Sequence, residues 1–467
     1  MNRNVAGRWD IERGTLRSVW QRVTPPQLFV ASFALLIAFG TLGLKLIPGL
    51  YTGEPLSWLD ALFTATSAVC VTGLIVVDTA TYFTFAGQAF ILLLIQLGGL
   101  GMLAFSSLII VALGRRLSLR QEALSTGSLE VAPHIDARRL TADVFVFTFA
   151  IELLGAAALY VLWIPELGFS GALWPAVFHS VSAFCNAGFS TFSDNLAGFQ
   201  SAPFSQAVIM TLIVAGGLGF LTMEELLLRY RAGKTQQIFR LSLHSRIVLV
   251  TTVALIVGGW ILFVIFEWDR SLSGMSVFDK FVNALFLSVT SRTAGFNTID
   301  YATASDSGNY LTILLMSIGG SPGSTAGGLK TTTFALIGLL AWSRMWGFET
   351  TTFFGRSVRK EVTERAVGLF VITFALVTVG IFLLNASEHF GSGKSTFLSR
   401  MFECASAFNT VGLSMGITAK LSAAGRLNMI LLMFLGRVGP LTLAAAIAVR
   451  SQSRAGLRFA YEDVVVG

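Results

Sequence analysis

Phe63-Thr-Ala-Thr-Ser-Ala-Val-Cys-Val-Thr-Gly73-Leu74 is a short amphipathic run that closes on a small or polar pair, a glycine and a bulky apolar residue. The pattern returns as Phe178-His-Ser-Val-Ser-Ala-Phe-Cys-Asn-Ala-Gly188-Phe189 and as Leu285-Phe-Leu-Ser-Val-Thr-Ser-Arg-Thr-Ala-Gly295-Phe296. It returns once more as Phe402-Glu-Cys-Ala-Ser-Ala-Phe-Asn-Thr-Val-Gly412-Leu413. A second landmark, G-x-x-G, follows each at a similar distance: Gly98-Gly-Leu-Gly101, Gly216-Gly-Leu-Gly219, Gly320-Ser-Pro-Gly323 and Gly436-Arg-Val-Gly439. One G-x-x-G alone is weak. Two landmarks in register four times over define an internal repeat.

The surrounding sequence is that of a membrane protein. Of 467 residues, 54% are hydrophobic and only 13% charged, against about 25% charged in soluble domains; mean hydropathy is +0.71. A span needs about 20 apolar residues. Stretches of that kind fall at 28–48, 88–113, 143–163, 205–228, 246–267, 308–342, 366–385 and 427–449. The segments between paired stretches (57–70, 172–185, 279–291 and 396–409) are too short to cross and read as re-entrant or interfacial. The expected division is a basic N-terminus 1–27, then repeat 1 at 28–113 and repeat 2 at 143–228. Repeat 3 at 246–342 contains an intramembrane loop 319–333; repeat 4 at 366–449 precedes a tail 450–467.

The charges orient it. Arg3, Arg8, Arg13, Arg17 and Arg22 precede the first stretch, and the loop 114–142, the segments 229–246 and 344–365, and the tail are likewise basic. The opposite side has fewer: Lys45, Arg270, Lys280, Lys394, Arg400, Lys420 and Arg426. The positive-inside rule then predicts both termini in the cytoplasm. The net charge of +7 is thus a topological signature, and no nucleic-acid partner is expected. No cleavable signal is expected, because the arginine-rich start leads into a run too long for a signal-peptide core. Cys70, Cys185 and Cys404 lie far apart, which excludes a disulfide scaffold and a four-thiolate zinc site.

Each unit is span, short helix, extended loop, span, and two crossings return the chain to its starting side. Such parallel repeats share an axis along the membrane normal. The predicted fold is all-α and polytopic: eight transmembrane helices in four M1–P–M2 repeats, with pseudo-fourfold symmetry around one pore. Extended backbone at membrane depth is tolerated only in protein or beside a water-filled cavity. Four sets of carbonyls aimed at one axis replace the hydration shell of a monovalent cation. Glycine supplies the backbone angles, and the C-terminal ends of the short helices add negative potential. No acidic or basic ring accompanies the glycines, so the chemistry points to K⁺.

Thr72-Gly73, Asn186-Ala-Gly188-Phe189, Ser291-Arg-Thr-Ala-Gly295-Phe-Asn-Thr298 and Asn409-Thr-Val-Gly412, with Gly319-Gly-Ser-Pro-Gly-Ser-Thr-Ala-Gly-Gly-Leu-Lys330, resemble the TrkH/KtrB family of potassium uptake proteins. The similarity covers about residues 27–450 and is closest to the KtrB branch, lacking an extra N-terminal hairpin. It implies K⁺ uptake across the bacterial plasma membrane, with Na⁺ as a possible activator and no organic cofactor. It also implies a homodimer with one pore per protomer and a cytosolic nucleotide-binding regulatory ring of RCK/KTN type. Ion contacts would come from Val71, Thr72 and Gly73; Asn186, Ala187 and Gly188; Thr293, Ala294 and Gly295; and Thr410, Val411 and Gly412, mostly through backbone carbonyls.

Gate candidates follow. The sixth stretch is longer than a span requires, and its middle holds Gly319, Gly320, Ser321, Pro322, Gly323, Gly327, Gly328 and Lys330, so helix is disfavoured there. A flexible loop obstructing the pore is the expectation, a fixed packing kink the alternative. Arg437 interrupts the fourth G-x-x-G at membrane depth, where a charge faces a pore or an acidic partner; a gate or a buried salt bridge would satisfy it. Arg292 would be repelled from a cation filter and is expected behind it, bracing the loop with Glu403 as partner. His179 is expected to be packed. Gly391-Ser-Gly-Lys-Ser-Thr396 lacks the first glycine of a phosphate-binding loop, and no catalytic motif is present, so an enzyme is not expected. The competing transporter reading, a Na⁺- or H⁺-coupled cation symporter, calls for intramembrane acids, and the spans are nearly empty of Asp and Glu.

Overall fold

The computed structural model of the chain describes residues 24–117, 137–234, 241–388, 396–440 and 442–444. The arginine-rich start, the segment 118–136, most of the 391–396 lookalike and the basic tail lie outside the described residues.

The first helix, α1 (Pro25–Leu46), starts where Thr24 donates its amide to Gln27 Oε1 at 3.0 Å, with prolines in the first turn, where a missing N–H costs nothing. The short α2 (Trp58–Val69) starts on Ser57, whose Oγ accepts the Asp60 amide at 3.1 Å. The one-turn α3 (Thr79–Tyr82) leads to α4 (Phe85–Leu117), an unbroken helix. Next, α5 (Ala137–Cys185) joins a long apolar stretch to a second short helix across a left-handed break at Gly168, φ 74°. Then α6 (Pro203–Gly217) meets α7 (Phe220–Lys234) at 104°.

The second half repeats the theme. Helix α8 (Leu243–Glu267) precedes the short α9 (Val277–Thr290), capped by Ser276 on the Asp279 amide at 3.1 Å. Helices α10 (Asp306–Met316) and α11 (Thr331–Met345) flank an irregular segment, and β1 (Thr352–Phe353) pairs antiparallel with β2 (Arg356–Ser357). A long α12 (Lys360–Ser387) then precedes the short α13 (Phe397–Phe408), whose cap Thr396 accepts the Ser399 amide at 3.2 Å, and α14 (Ala423–Val438) follows. Side-chain oxygens at these caps satisfy orphan helix amides, and the aspartates favour the positive helix end.

Among the described residues, Pro26–Leu46, Phe85–Met102, Asp143–Cys185, Leu243–Glu267 and Lys360–Ser387 are long and apolar enough to cross a membrane, and the bent α6–α7 pair could make a sixth span. The eight expected spans therefore do not appear as eight uninterrupted helices. The expected 308–342 span is α10 and α11 with non-helical backbone between them. The expected 427–449 span contains the end of α14, which stops at Gly439, φ 84°. The breaks sit on the last glycine of the second landmark: Gly219, Gly323 and Gly439 all have left-handed φ, whereas Gly101 continues in helix.

The short helices form the centre. Phe63, Phe178, Phe286 and Phe402 are fully buried, while the long helices expose Leu35, Leu153, Ile265 and Phe382 outward, as lipid contact requires. Arg426 on α14 pairs with Asp60 on α2, tying the last helix to the first short one.

Candidate functional site: four glycine loops and the loop beneath them

Each short helix ends in the same backbone figure. The residue two before each anchor glycine has left-handed φ (Val71 55°, Asn186 59°, Thr293 70°, Thr410 49°), and so does each glycine (Gly73 97°, Gly188 68°, Gly295 82°, Gly412 95°). Side chains resist this conformation by about 1–2 kcal/mol per residue, so four recurrences require surroundings that hold them. The holding bonds are local. Thr72 donates its amide to the Ser67 carbonyl at 2.8 Å, Ala187 to Ser182 at 2.7 Å, Ala294 to Thr290 at 3.0 Å and Val411 to Ser406 at 2.9 Å. Hydroxyls complete the turn: Ser67 Oγ donates to the Leu74 carbonyl at 2.7 Å, Ser182 to Phe189 at 2.8 Å and Thr290 to Phe296 at 2.6 Å.

With amides drawn back onto the helices, the carbonyls are left over. Among the described residues no hydrogen bond reaches the carbonyl oxygens of Val71, Thr72, Gly73, Asn186, Ala187, Thr293, Ala294, Gly295, Thr410, Val411 or Gly412; that of Gly188 accepts from Asn195 Nδ2 at 3.2 Å. Buried backbone carbonyls are normally paired. The side-chain oxygens Thr72 Oγ1, Asn186 Oδ1, Thr293 Oγ1 and Thr410 Oγ1 are likewise buried without a partner.

The four loops touch in cyclic order. A methyl on Gly73 would strike the Ala187 carbonyl oxygen; one on Gly188 would lie 2.9 Å from that of Ala294. One on Gly295 would strike the Val411 oxygen, and one on Gly412 the Thr72 oxygen, which closes the circle. Glycine is thus required twice at each position, for its φ and for the neighbouring carbonyl.

Below this circle lies the segment 317–330. Ser321 donates its amide to the Gly217 carbonyl at 2.9 Å and Thr325 to Gly216 at 3.2 Å, while Phe220 donates to Gly323 at 3.0 Å. Its own ends are stapled, Gly319 to Leu329 at 2.8 Å, and Lys330 Nζ donates to the Ala326 carbonyl at 2.6 Å. The segment also touches the glycine loops: Asn186 Nδ2 donates to Thr325 Oγ1 at 2.9 Å, Gly327 abuts Thr410 and Gly328 abuts Asn409.

Arg437 is 2% exposed and, among the described residues, has no carboxylate partner; its guanidinium donates to the Thr325 carbonyl and, at 3.1 Å, to that of Gly98. Among the described residues the salt-bridge alternative for Arg437 is therefore not met. Arg292 does not reach Glu403: its guanidinium donates to Thr331 Oγ1 at 3.3 Å, beside the 317–330 segment. Glu403 instead anchors the chain after Gly412, accepting from Ser414 Oγ at 2.6 Å, the Met415 amide at 3.0 Å and Thr418 Oγ1 at 2.7 Å. His179 is packed between Trp163 and Phe192, with Nδ1 2.8 Å from the Pro175 carbonyl.

Several participants carry no signal of their own in the sequence. Thr325 and Asn409 sit inside the glycine motifs, whose spacing does not distinguish them from their neighbours. Glu152 is 4% exposed in the apolar part of α5; its meeting with Gln96 of α4 at 3.1 Å depends on helix packing that no local pattern displays.

The fold and loops define a polytopic membrane transporter rather than an enzyme. A family model described as TrkH, cation transport protein, matches residues 22–455, and the chain belongs to this family of cation transport proteins, in which the KtrB-type uptake proteins are its near relatives. It is 38% identical to the potassium/sodium uptake protein NtpJ of Enterococcus hirae over 97% of this chain and 99% of that one. It is also 38% identical to the Ktr system potassium uptake protein B of Bacillus subtilis, over 96% and 98% respectively. The fold matches the potassium transporter TrkH from Vibrio parahaemolyticus with a TM-score of 0.71 at 20% identity, covering 90% of this chain and 83% of that one.

Proposed function

We propose that the chain is a K⁺ uptake protein whose four M1–P–M2 units surround one pore, with the glycine-loop carbonyls as its selectivity filter. The observation that carries this reading is the closed circle of loops whose carbonyl oxygens, that of Gly188 apart, are unclaimed by donors among the described residues. A dehydrated monovalent cation is the ligand that such neutral oxygens replace water for, and the relatives named for potassium uptake support the choice of K⁺.

The segment 317–330, with Arg437 as its latch, is the gate in this reading, and both termini face the cytoplasm of a bacterial cell. A homodimer gated by a cytosolic nucleotide-binding regulatory ring, with Na⁺ as activator, completes it. Rb⁺ uptake by the purified protein in liposomes, with K⁺, Na⁺ and Li⁺ as competitors, tests the filter. Serine at Gly73, Gly188, Gly295 or Gly412 is expected to erode the preference for K⁺ over Na⁺; unaltered preference in all four variants would reject the carbonyl assignment.

A further inference from the structure

Glu152 is a carboxyl group that the filter and the gate do not use. It lies in the apolar stretch of α5 and is tied twice to the second short helix: its main-chain carbonyl accepts from Ser180 Oγ at 2.6 Å, and its Oε1 lies 3.9 Å from Cys185 Sγ. Its Oε2 accepts from Gln96 Nε2 at 3.1 Å, and Gln96 Oε1 is 3.7 Å from the same sulfur. Cys185 is the last residue of that helix and precedes Asn186, whose left-handed φ shapes the second glycine loop.

Among the described residues, no cation pairs with Glu152. From α4 comes neutral Gln96; from α6, apolar Leu212 packs against Gly155 one turn away. His179 on the short helix is engaged elsewhere, with Pro175 and Ser190. Arg437 of α14 interacts electrostatically with Cys185 as well as with Cys70, the residue that caps α2, but spends its donors on the Thr325 and Gly98 carbonyls. An ionised carboxylate buried at this depth without a cation is costly, so the neutral acid is the form that this packing accommodates.

We propose that Glu152, held by Gln96 and Cys185 behind the second glycine loop, is a proton-binding site whose protonated form keeps that loop in its conducting shape. Loss of the proton places an unpaired charge against the end of the short helix, and the structure relieves it by shifting Cys185 and hence Asn186. The site regulates conduction rather than lying on the ion's path, and it rests on the K⁺-conduction reading above.

The test is Rb⁺ uptake by the full-length protein in liposomes without the regulatory partner, with the same pH on both faces, across a mildly acidic to alkaline series. Wild-type flux is expected to fall about tenfold per pH unit at the alkaline end, the slope of a single-proton site. Glu152→Gln, neutral at every pH, is expected to match wild type in acid and to lose that fall. Gln96→Leu removes a donor to the charged form, so its fall should begin at more alkaline pH. Infrared difference spectra should show a protonated carboxylic acid in wild type that is missing in E152Q. An E152Q curve that follows the wild-type decline, or wild-type spectra without that acid, overturns the proposal while leaving the conduction reading standing. Absence of Rb⁺ uptake by wild type at every pH defeats both.

Discussion

The guanidinium of Arg437 donates to the main-chain carbonyl of Thr325, so the last described long helix grips the segment beneath the glycine loops by its backbone. A second donor on the Gly98 carbonyl fixes the same side chain to α4. Lysine cannot serve two carbonyls with that planar fork. Arg437→Lys should leave one of them unpaired, at about 1–3 kcal/mol, and raise Rb⁺ flux about tenfold for each 1.4 kcal/mol by which the closed arrangement is weakened. Liposome flux without any regulatory partner reads this; equal or lower flux would show that Arg437 is no latch.

Thr325 joins that segment to the second glycine loop through Asn186. Thr325→Val keeps the shape and removes the hydroxyl, so the Asn186 amide loses its partner. Faster uptake with unchanged K⁺-over-Na⁺ preference is expected, since the segment loosens while the circle of glycines is intact. A changed preference with unchanged rate would place Thr325 in the filter instead.

Gly412 and Gly416 both have left-handed φ, 95° and 79°, but only Gly412 faces a neighbouring carbonyl, that of Thr72; a methyl on Gly416 would meet nothing within 4 Å. Alanine at either position carries a backbone penalty of about 1–2 kcal/mol. Competition assays should show lost discrimination against Na⁺ in Gly412→Ala and retained discrimination in Gly416→Ala. Equal loss in both would mean that strain, and not the contact with Thr72, is what matters.

Arg292 and Glu403 brace different things, the first beside Thr331 and the second the turn through Ser414, Met415 and Thr418. Glu403→Ala strands three donors and should cost about 1–3 kcal/mol for each one left unsatisfied. Arg292→Met should be additive with it to within about 0.5 kcal/mol, as for sites with no shared partner. Thermal unfolding in detergent of the two single variants and the double variant measures this, and a strong coupling energy would contradict the separation.

The glycine loops were legible because their constraint is local: a left-handed residue two before a left-handed glycine, repeated after each short helix, leaves a motif in the chain. The non-helical character of 319–330 was legible for the same reason, through glycine and proline. Arg292 meets Thr331 and not Glu403, because its partner is brought in by the chain that follows the 317–330 segment, about which alignment of the repeats says nothing. Glu152 is hard to read from the sequence because one acid in a long apolar run barely changes its hydropathy. Its burial is a product of α4 and α5 meeting at Gln96. The bend at Gly219 and the straight passage through Gly101 come from the same motif, since a G-x-x-G permits a break but only the packing partner imposes one.

Because the circle of contacts Gly73, Gly188, Gly295 and Gly412 is written on one polypeptide, its quadrants are free to differ in a way that four identical subunits are not. Thr72, Ala187, Ala294 and Val411 already occupy equivalent corners. A single codon change here alters one quarter of the circle, whereas in a homotetramer it would alter all of it, so variation can adjust such a ring in small increments.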